Sequence, residues 1–186
     1  IQGTGSVSIG LQAGQSNQGI NCVAIGYQAG QFSQNTGSIA IGYQTGQSSQ
    51  SYDCVAIGYQ AGQSNQGNRS IAIGFSAGQQ TQYGSGIAIG NASAFIEQGP
   101  NGISLGSSAG GGYQGESAIA IGTNSGGYYQ DPYSVAIGYQ SGFTLQRTLC
   151  VAIGYRSGYN LQGTGSIAIG LQAGQSNQGI NCVAIG

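Results

Sequence analysis

Along the chain, short runs in which a small residue sits between two branched apolar ones recur at a constant spacing, each closed by a glycine. The run reads Val-Ala-Ile-Gly at 23–26, Ile-Ala-Ile-Gly at 39–42 and Val-Ala-Ile-Gly at 55–58. Its closing glycine falls at Gly10, Gly26, Gly42, Gly58, Gly74, Gly90, Gly106, Gly122, Gly138, Gly154, Gly170 and Gly186, every interval being 16 residues. A fixed period of this size, held without insertion or deletion, is the signature of a solenoid built from one stacked unit per repeat. Within each run the alternation has period two, which predicts a short β-strand. The expected fold is therefore all-β: a parallel β-solenoid, or β-roll, with one 16-residue coil per rung, about 12 rungs and a flattened section. It should run as a single continuous unit over residues 1–186.

With the closing glycine taken as slot 0, the branched residues occupy slots +13 and +15 and share one side of the strand. Their hydrophobicity assigns them to the core. The residues between them, Ala24, Ala40, Ala56, Ala72, Ala88, Ala120, Ala136, Ala152, Ala168 and Ala184, then face outward and, at a rung spacing of about 4.8 Å, form a small uncharged stripe. A stripe of this kind suits close approach of a second sheet and is the candidate subunit interface, the alternative being a merely solvated alanine face. A second run follows the glycine, as in Tyr27-Gln28-Ala29-Gly30, with a small residue at slot +3 and glycine at slot +4 in every complete unit but the one holding Ala94. Glycines at slots 0 and +4 supply the positive φ angles that tight corners need.

Slot +8 is glutamine in every unit: Gln2, Gln18, Gln34, Gln50, Gln66, Gln82, Gln98, Gln114, Gln130, Gln146, Gln162 and Gln178. An exposed loop position has no need of one amide throughout while slots +5 to +7 vary. The row therefore predicts a ladder of side-chain amides, each bonded to the rungs on either side and satisfied inside the coil. Duplication without time to diverge is the competing explanation.

Composition narrows the function classes. The chain has 38 glycines, no His, Met or Trp, three arginines as its only cations and four acidic residues, for a net charge of -1. That balance gives no electrostatic footprint for nucleic acid or an anionic membrane. Low charge favours a partner surface or self-assembly, and the apolar runs are too short to span a bilayer. Catalysis finds no base and nucleophile pair, and no cofactor motif stands out, because the G-x-G matches belong to the repeat and no helix follows them. Asp53 and Arg69 share one slot a unit apart, as do Asp131 and Arg147, and each should form a stacked surface pair that fixes register. Glu97, Glu116 and Asp131 lie along one edge on successive rungs, but their slots differ and no metal site is assigned. The four cysteines, Cys22, Cys54, Cys150 and Cys182, share slot +12. The nearest pairs are two rungs apart, about 9.6 Å, beyond the reach of a disulfide, so within one chain they should be free and buried. Asn68 and Asn91 head glycosylation sequons. The units from Asn91 to Tyr133 depart most from the consensus, with aromatics in a variable arc that suit contact with another fibre or a ligand.

A longer period overlies the short one. Residues 161–186 repeat residues 1–26 with three conservative differences, an offset of ten units and 160 residues. A ten-rung cassette recurring along a longer polypeptide is the expectation, a local duplication of two rungs the alternative.

The stretches Gly37 to Gly46 (GSIAIGYQTG) and Cys22 to Gly30 (CVAIGYQAG) resemble the head repeats of YadA-like trimeric autotransporter adhesins, and equally the AIGYQAG-type repeats of phage and giant-virus tail fibre proteins. The resemblance covers all twelve units. It implies a left-handed parallel β-roll, commonly trimeric, exposed on a cell or virion surface and used for attachment or as a stiff shaft. The expected function is thus a structural component of an extracellular or virion-surface fibre, a self-assembling homo-oligomer. The alternative is an adhesin head that meets a host surface through its variable arcs or its Tyr face, formed by Tyr27, Tyr43, Tyr59, Phe75, Tyr139 and Tyr155.

Overall fold

The structure, a computed structural model, describes residues 2–186. Two parallel sheets and the corners between them account for the chain, with no helix among the described residues. One sheet has twelve strands, running from Val7–Ile9 to Val183–Ile185 in sequence order. The other has ten, from Phe32–Gln34 to Ser176–Gln178. Successive rungs contribute one strand to each sheet, and the register is that of the repeat: Val55 pairs with Ile71, Ala56 with Ala72, and Gln66 with Gln82. This is a β-solenoid of flattened, two-sheet form with one 16-residue coil per rung.

Rung-to-rung backbone bonds continue through the corners. The Val55 amide donates to Ser70 O at 3.0 Å, the Gln60 amide to Tyr43 O at 2.8 Å and the Arg69 amide to Tyr52 O at 2.9 Å. The corners reach this pairing only with left-handed residues at fixed slots. Slot 0 is the extreme case: Gly58 has φ +133°, and a Cβ there would lie 2.4 Å from the carbonyl oxygen of Gly74 in the next rung. Glycine is required by both the dihedral and the approach. Slot +4 adopts φ near 50° and slot +2 does the same with Gln28, Gln44 and Gln60, which carry their side chains in the left-handed region.

The sidedness of the twelve-stranded sheet is the reverse of the sequence expectation. Ala24, Ala40, Ala56, Ala72, Ala88, Ala120, Ala136, Ala152 and Ala168 are fully buried and point into the coil, and Ala184, in the terminal rung, occupies the same slot. They are core, not an outer stripe. The branched residues face out: Ile57 and Ile73 are half-buried, and Ile89 and Ile169 are each 39% exposed. The reason is volume. A 16-residue coil folded into two facing strands leaves too thin an interior for a layer of isoleucines, whereas alanine and a slot +3 Ala, Ser or Thr fit. The largest fully buried side chains are glutamines, Thr45 and three cysteines.

Candidate functional site

The register of the repeat gathers like residues into columns that run along the molecule. The innermost is the glutamine column. Gln34, Gln50, Gln66, Gln98, Gln146 and Gln162 are completely buried, and Gln18, Gln82, Gln114 and Gln130 nearly so. Each amide spans the interior. Gln66 Nε2 donates to Val55 O at 2.9 Å across the coil and to Ser70 O at 3.1 Å at the next corner. The same nitrogen lies 3.3 Å from Oε1 of Gln82 on the next rung. Equivalent rung-to-rung links join Gln18 to Gln34, Gln50 to Gln66 and every step from Gln82 to Gln162. The links from Gln34 to Gln50 and from Gln162 to Gln178 are not made, and Gln50 Oε1 and Gln178 Oε1 are left without a partner, while Gln2 is exposed and donates to Ser6 O instead of joining the column. Where slot +14 is serine instead of alanine, its hydroxyl joins the column: Ser8 and Ser104 donate to Gln18 and Gln114 Oε1, each at 2.8 Å.

Slot +12 closes the opposite corner. Ser70 Oγ donates to Tyr83 O at 2.9 Å, and the thiols of Cys54 and Cys150 make the same bridge to Gly67 O at 2.8 Å and Gly163 O at 2.9 Å. Cysteine therefore stands in for serine as a small buried donor. All four cysteines are free; Cys22, Cys54 and Cys150 are buried, and Cys182 is exposed. Burial pushes the Cys54 and Cys150 thiols above their ordinary range, outweighing the neighbouring backbone donors that favour the thiolate.

The outer faces carry three further columns. Slots +13 and +15 place two rows of Val, Ile and one Leu, two residues per rung, along the entire outer face of the twelve-stranded sheet without a polar interruption. At slot +1, Tyr27, Tyr43, Tyr59 and Phe75 form a continuous stack with centroids 4.9–5.0 Å apart, and Tyr139 stacks on Tyr155 at 5.3 Å. Beside that stack runs a surface amide ladder that the sequence reading passed over. Gln28, Gln44 and Gln60 donate down slot +2 at 2.7–3.0 Å, Gln31, Gln47, Gln63 and Gln79 down slot +5 at 2.9–3.2 Å, and Gln47 and Gln79 also cross between the rows. Arg156 replaces glutamine at slot +2 and keeps the rule, donating from Nε to Gln140 Oε1 at 2.8 Å. Its guanidinium lies over the rings of Tyr155 and Tyr159. The signal for these rows was in the sequence, since slots +2 and +5 hold glutamine together through the first units, but slot +2 drifts from Ser76 and slot +5 from Phe95, which concealed it.

Of the two charge pairs expected, Arg147 and Asp131 come within 3.8 Å, both partly exposed, whereas Asp53 and Arg69 do not form an ion pair among the described residues. Both Asp53 and Arg69 sit at a left-handed corner, and the Asp53 carboxylate turns back toward Gly37. Among the described residues no group of three His, Cys, Asp or Glu side chains is gathered as a metal site would require, so Glu97, Glu116 and Asp131 are not brought together. Among the described residues no helix is long and apolar enough to cross a membrane.

No protein-family model, curated protein or solved structure matches the chain.

Proposed function

We propose that the chain is a stiff shaft of an extracellular or virion-surface fibre that associates with further copies of itself through the outer face of its twelve-stranded sheet. The observation that carries this reading is the uninterrupted double row of branched aliphatic residues on that face, from Val7 and Ile9 to Val183 and Ile185. At about 4.8 Å per rung it is about 50 Å long. Two side chains wide, roughly 10 Å, it offers on the order of 500 Å², toward the upper end of the largest apolar patch on a typical monomer and of a kind that is often functional. Covering it with a second copy buries roughly 1,000 Å² in all, the least expected of a specific interface. Stiffness has its own support in the continuous backbone ladders, the buried amide column and the stacked rings, all of which run along one axis.

Sedimentation and cryo-EM of the chain beside a variant carrying Ile57→Lys, Ile73→Glu and Ile89→Lys test the reading. Alternating signs on adjacent rungs keep the new charges from repelling one another. The expected result is association of the parent with an axial strand reflection near 4.8 Å, and a folded monomer for the variant. A parent that sediments as a monomer at high concentration, or a variant that assembles as the parent does, overturns it.

A further inference from the structure

The surface corner loses its rows of glutamine in the second half of the chain. In slot +5 the chain places Gln15, Gln31, Gln47, Gln63, Gln79, then Phe95, Gly111, Gly127 and Phe143, followed by Tyr159 and Gln175. Two consecutive glycines thus interrupt a row of large side chains and are bracketed by phenylalanines. Neither glycine has a positive φ, so the backbone does not ask for glycine here. In slot +2 the amide ladder lapses from Ser76 through Ala92, Ser108 and Asn124 before glutamine returns at Gln140. The result is a cavity of about 250 Å³ lined by Phe95, Tyr128, Phe143, Ser108, Asn124 and Gly111, among others, and by no charged residue. Phe143 leans over Gly127, its ring carbons 2.6–2.7 Å from where a Cβ would stand. It packs edge to face with Tyr128 at 5.1 Å and stacks on Tyr159 at 5.2 Å. The side that remains open lies over Gly111, between Phe95 and the Tyr128–Phe143 pair. Ser108 and Asn124 border it without the side-chain partners that glutamines have at the same slot in other rungs.

We propose that this notch binds one pyranose ring of a neutral saccharide. The occupant must be uncharged, because nothing in the lining would neutralise a charge in a partly enclosed space. It must be small, since the cavity lies below the roughly 300–1,000 Å³ of sites that enclose a drug-sized molecule. It must also offer an apolar face to aromatic rings on either side and hydroxyls to a Ser108 hydroxyl, an Asn124 amide and the Tyr128 phenol. A sugar ring combines these properties. The site is independent of the shaft reading, because it lies on the corner and leaves the Val/Ile face free.

The test is an NMR titration of the 186-residue chain with the methyl glycosides of glucose, galactose and N-acetylglucosamine, and with p-cresol as an apolar aromatic control. The expected result is saturable shifts of the Gly111, Asn124 and Gly127 amides with at least one glycoside in the millimolar range. Gly111→Gln restores the residue found at this slot in other rungs and fills the opening. A Cβ at Gly111 meets only Ser108 O at 3.2 Å and looser neighbours, so the variant should fold, which its circular dichroism checks. It should weaken binding about tenfold or more, and Phe95→Ala should weaken it too. The proposal fails if no glycoside gives saturable shifts, if folded Gly111→Gln binds as the parent does, or if p-cresol alone saturates the site, which would make it a dock for an apolar side chain.

Discussion

Gln50 donates from Nε2 to Oε1 of Gln66 at 3.1 Å, so one amide meets another sixteen residues on in the buried interior of the coil. Because Gln66 also serves Val55 O, Ser70 O and Gln82 Oε1, removing one amide orphans groups on three rungs. Gln66→Leu should cost about 1–3 kcal/mol, the penalty of leaving buried polar groups unpaired. Urea denaturation of the variant beside the parent measures it, and an unchanged midpoint would mean that water enters the coil and replaces the lost partner.

Glycine at slot 0 is a sharper requirement. Gly58→Ala places a methyl group 2.4 Å from Gly74 O at a φ of +133°. The strained dihedral alone should cost roughly 1–3 kcal/mol, with the clash added. Thermal melting should show a drop clearly larger than for Gly111→Ala, where φ is not in the left-handed region. Equal drops would show that the corner relaxes freely.

The raised thiols make stability depend on alkaline pH. A folded-state pKa above the unfolded one means that the native state holds the proton more tightly. The contribution of Cys54 and Cys150 is therefore complete below the ordinary thiol range and is lost as pH rises through their raised values. Above roughly pH 8.5 the parent should lose stability faster than a Cys54→Ser, Cys150→Ser variant, whose hydroxyls do not titrate and can bridge the corner as Ser70 does. Parallel curves would sink the assignment. With a thiol reagent at neutral pH, the buried Cys54 and Cys150 should react far more slowly than they do after unfolding in urea.

The stacked rings contribute along the same axis. Tyr43 lies between Tyr27 at 5.0 Å and Tyr59 at 4.9 Å, so Tyr43→Ala breaks two contacts of a kind worth about 0.5–1.5 kcal/mol each. The ring is 42% exposed, which keeps the loss toward the low end. A melting temperature indistinguishable from that of the parent would assign the stack to surface shape and not to stability.

Period, strand positions and the location of the glutamine column were legible because each is a statement about register, and an uninterrupted 16-residue spacing fixes register directly. Which way the strand faced was not. Alternation separates Ala56 from Val55 and Ile57 without saying which side is inside, and hydrophobicity chose the isoleucines. The deciding quantity was the space between two sheets joined by corners of four to seven residues, which admits Ala56 and Gln66 but not Ile57. The charge pairs were half legible for a related reason. Sharing a slot brings backbones together, but the rotamers at a left-handed corner decide whether Asp53 meets Arg69, and sequence spacing carries no information about them. The departure of the units from Asn91 to Tyr133 marks the region of the notch in the sequence but not its shape, because glycine in a glycine-rich chain reads as a turn and only the φ angles distinguish Gly111 from a corner glycine.

The unbroken register also turns the molecule into a calibrated scale. One coil advances the axis by about 4.8 Å, so each residue adds about 0.3 Å of length. Inserting a whole coil would lengthen the rod by one division and leave every other mark in place. Inserting a single residue would move all later side chains out of their columns, placing Asn65 where Gln66 now lies and Ile71 where Ala72 does. Length can thus change only in whole steps, and a lineage of such chains would differ in height as a staircase does.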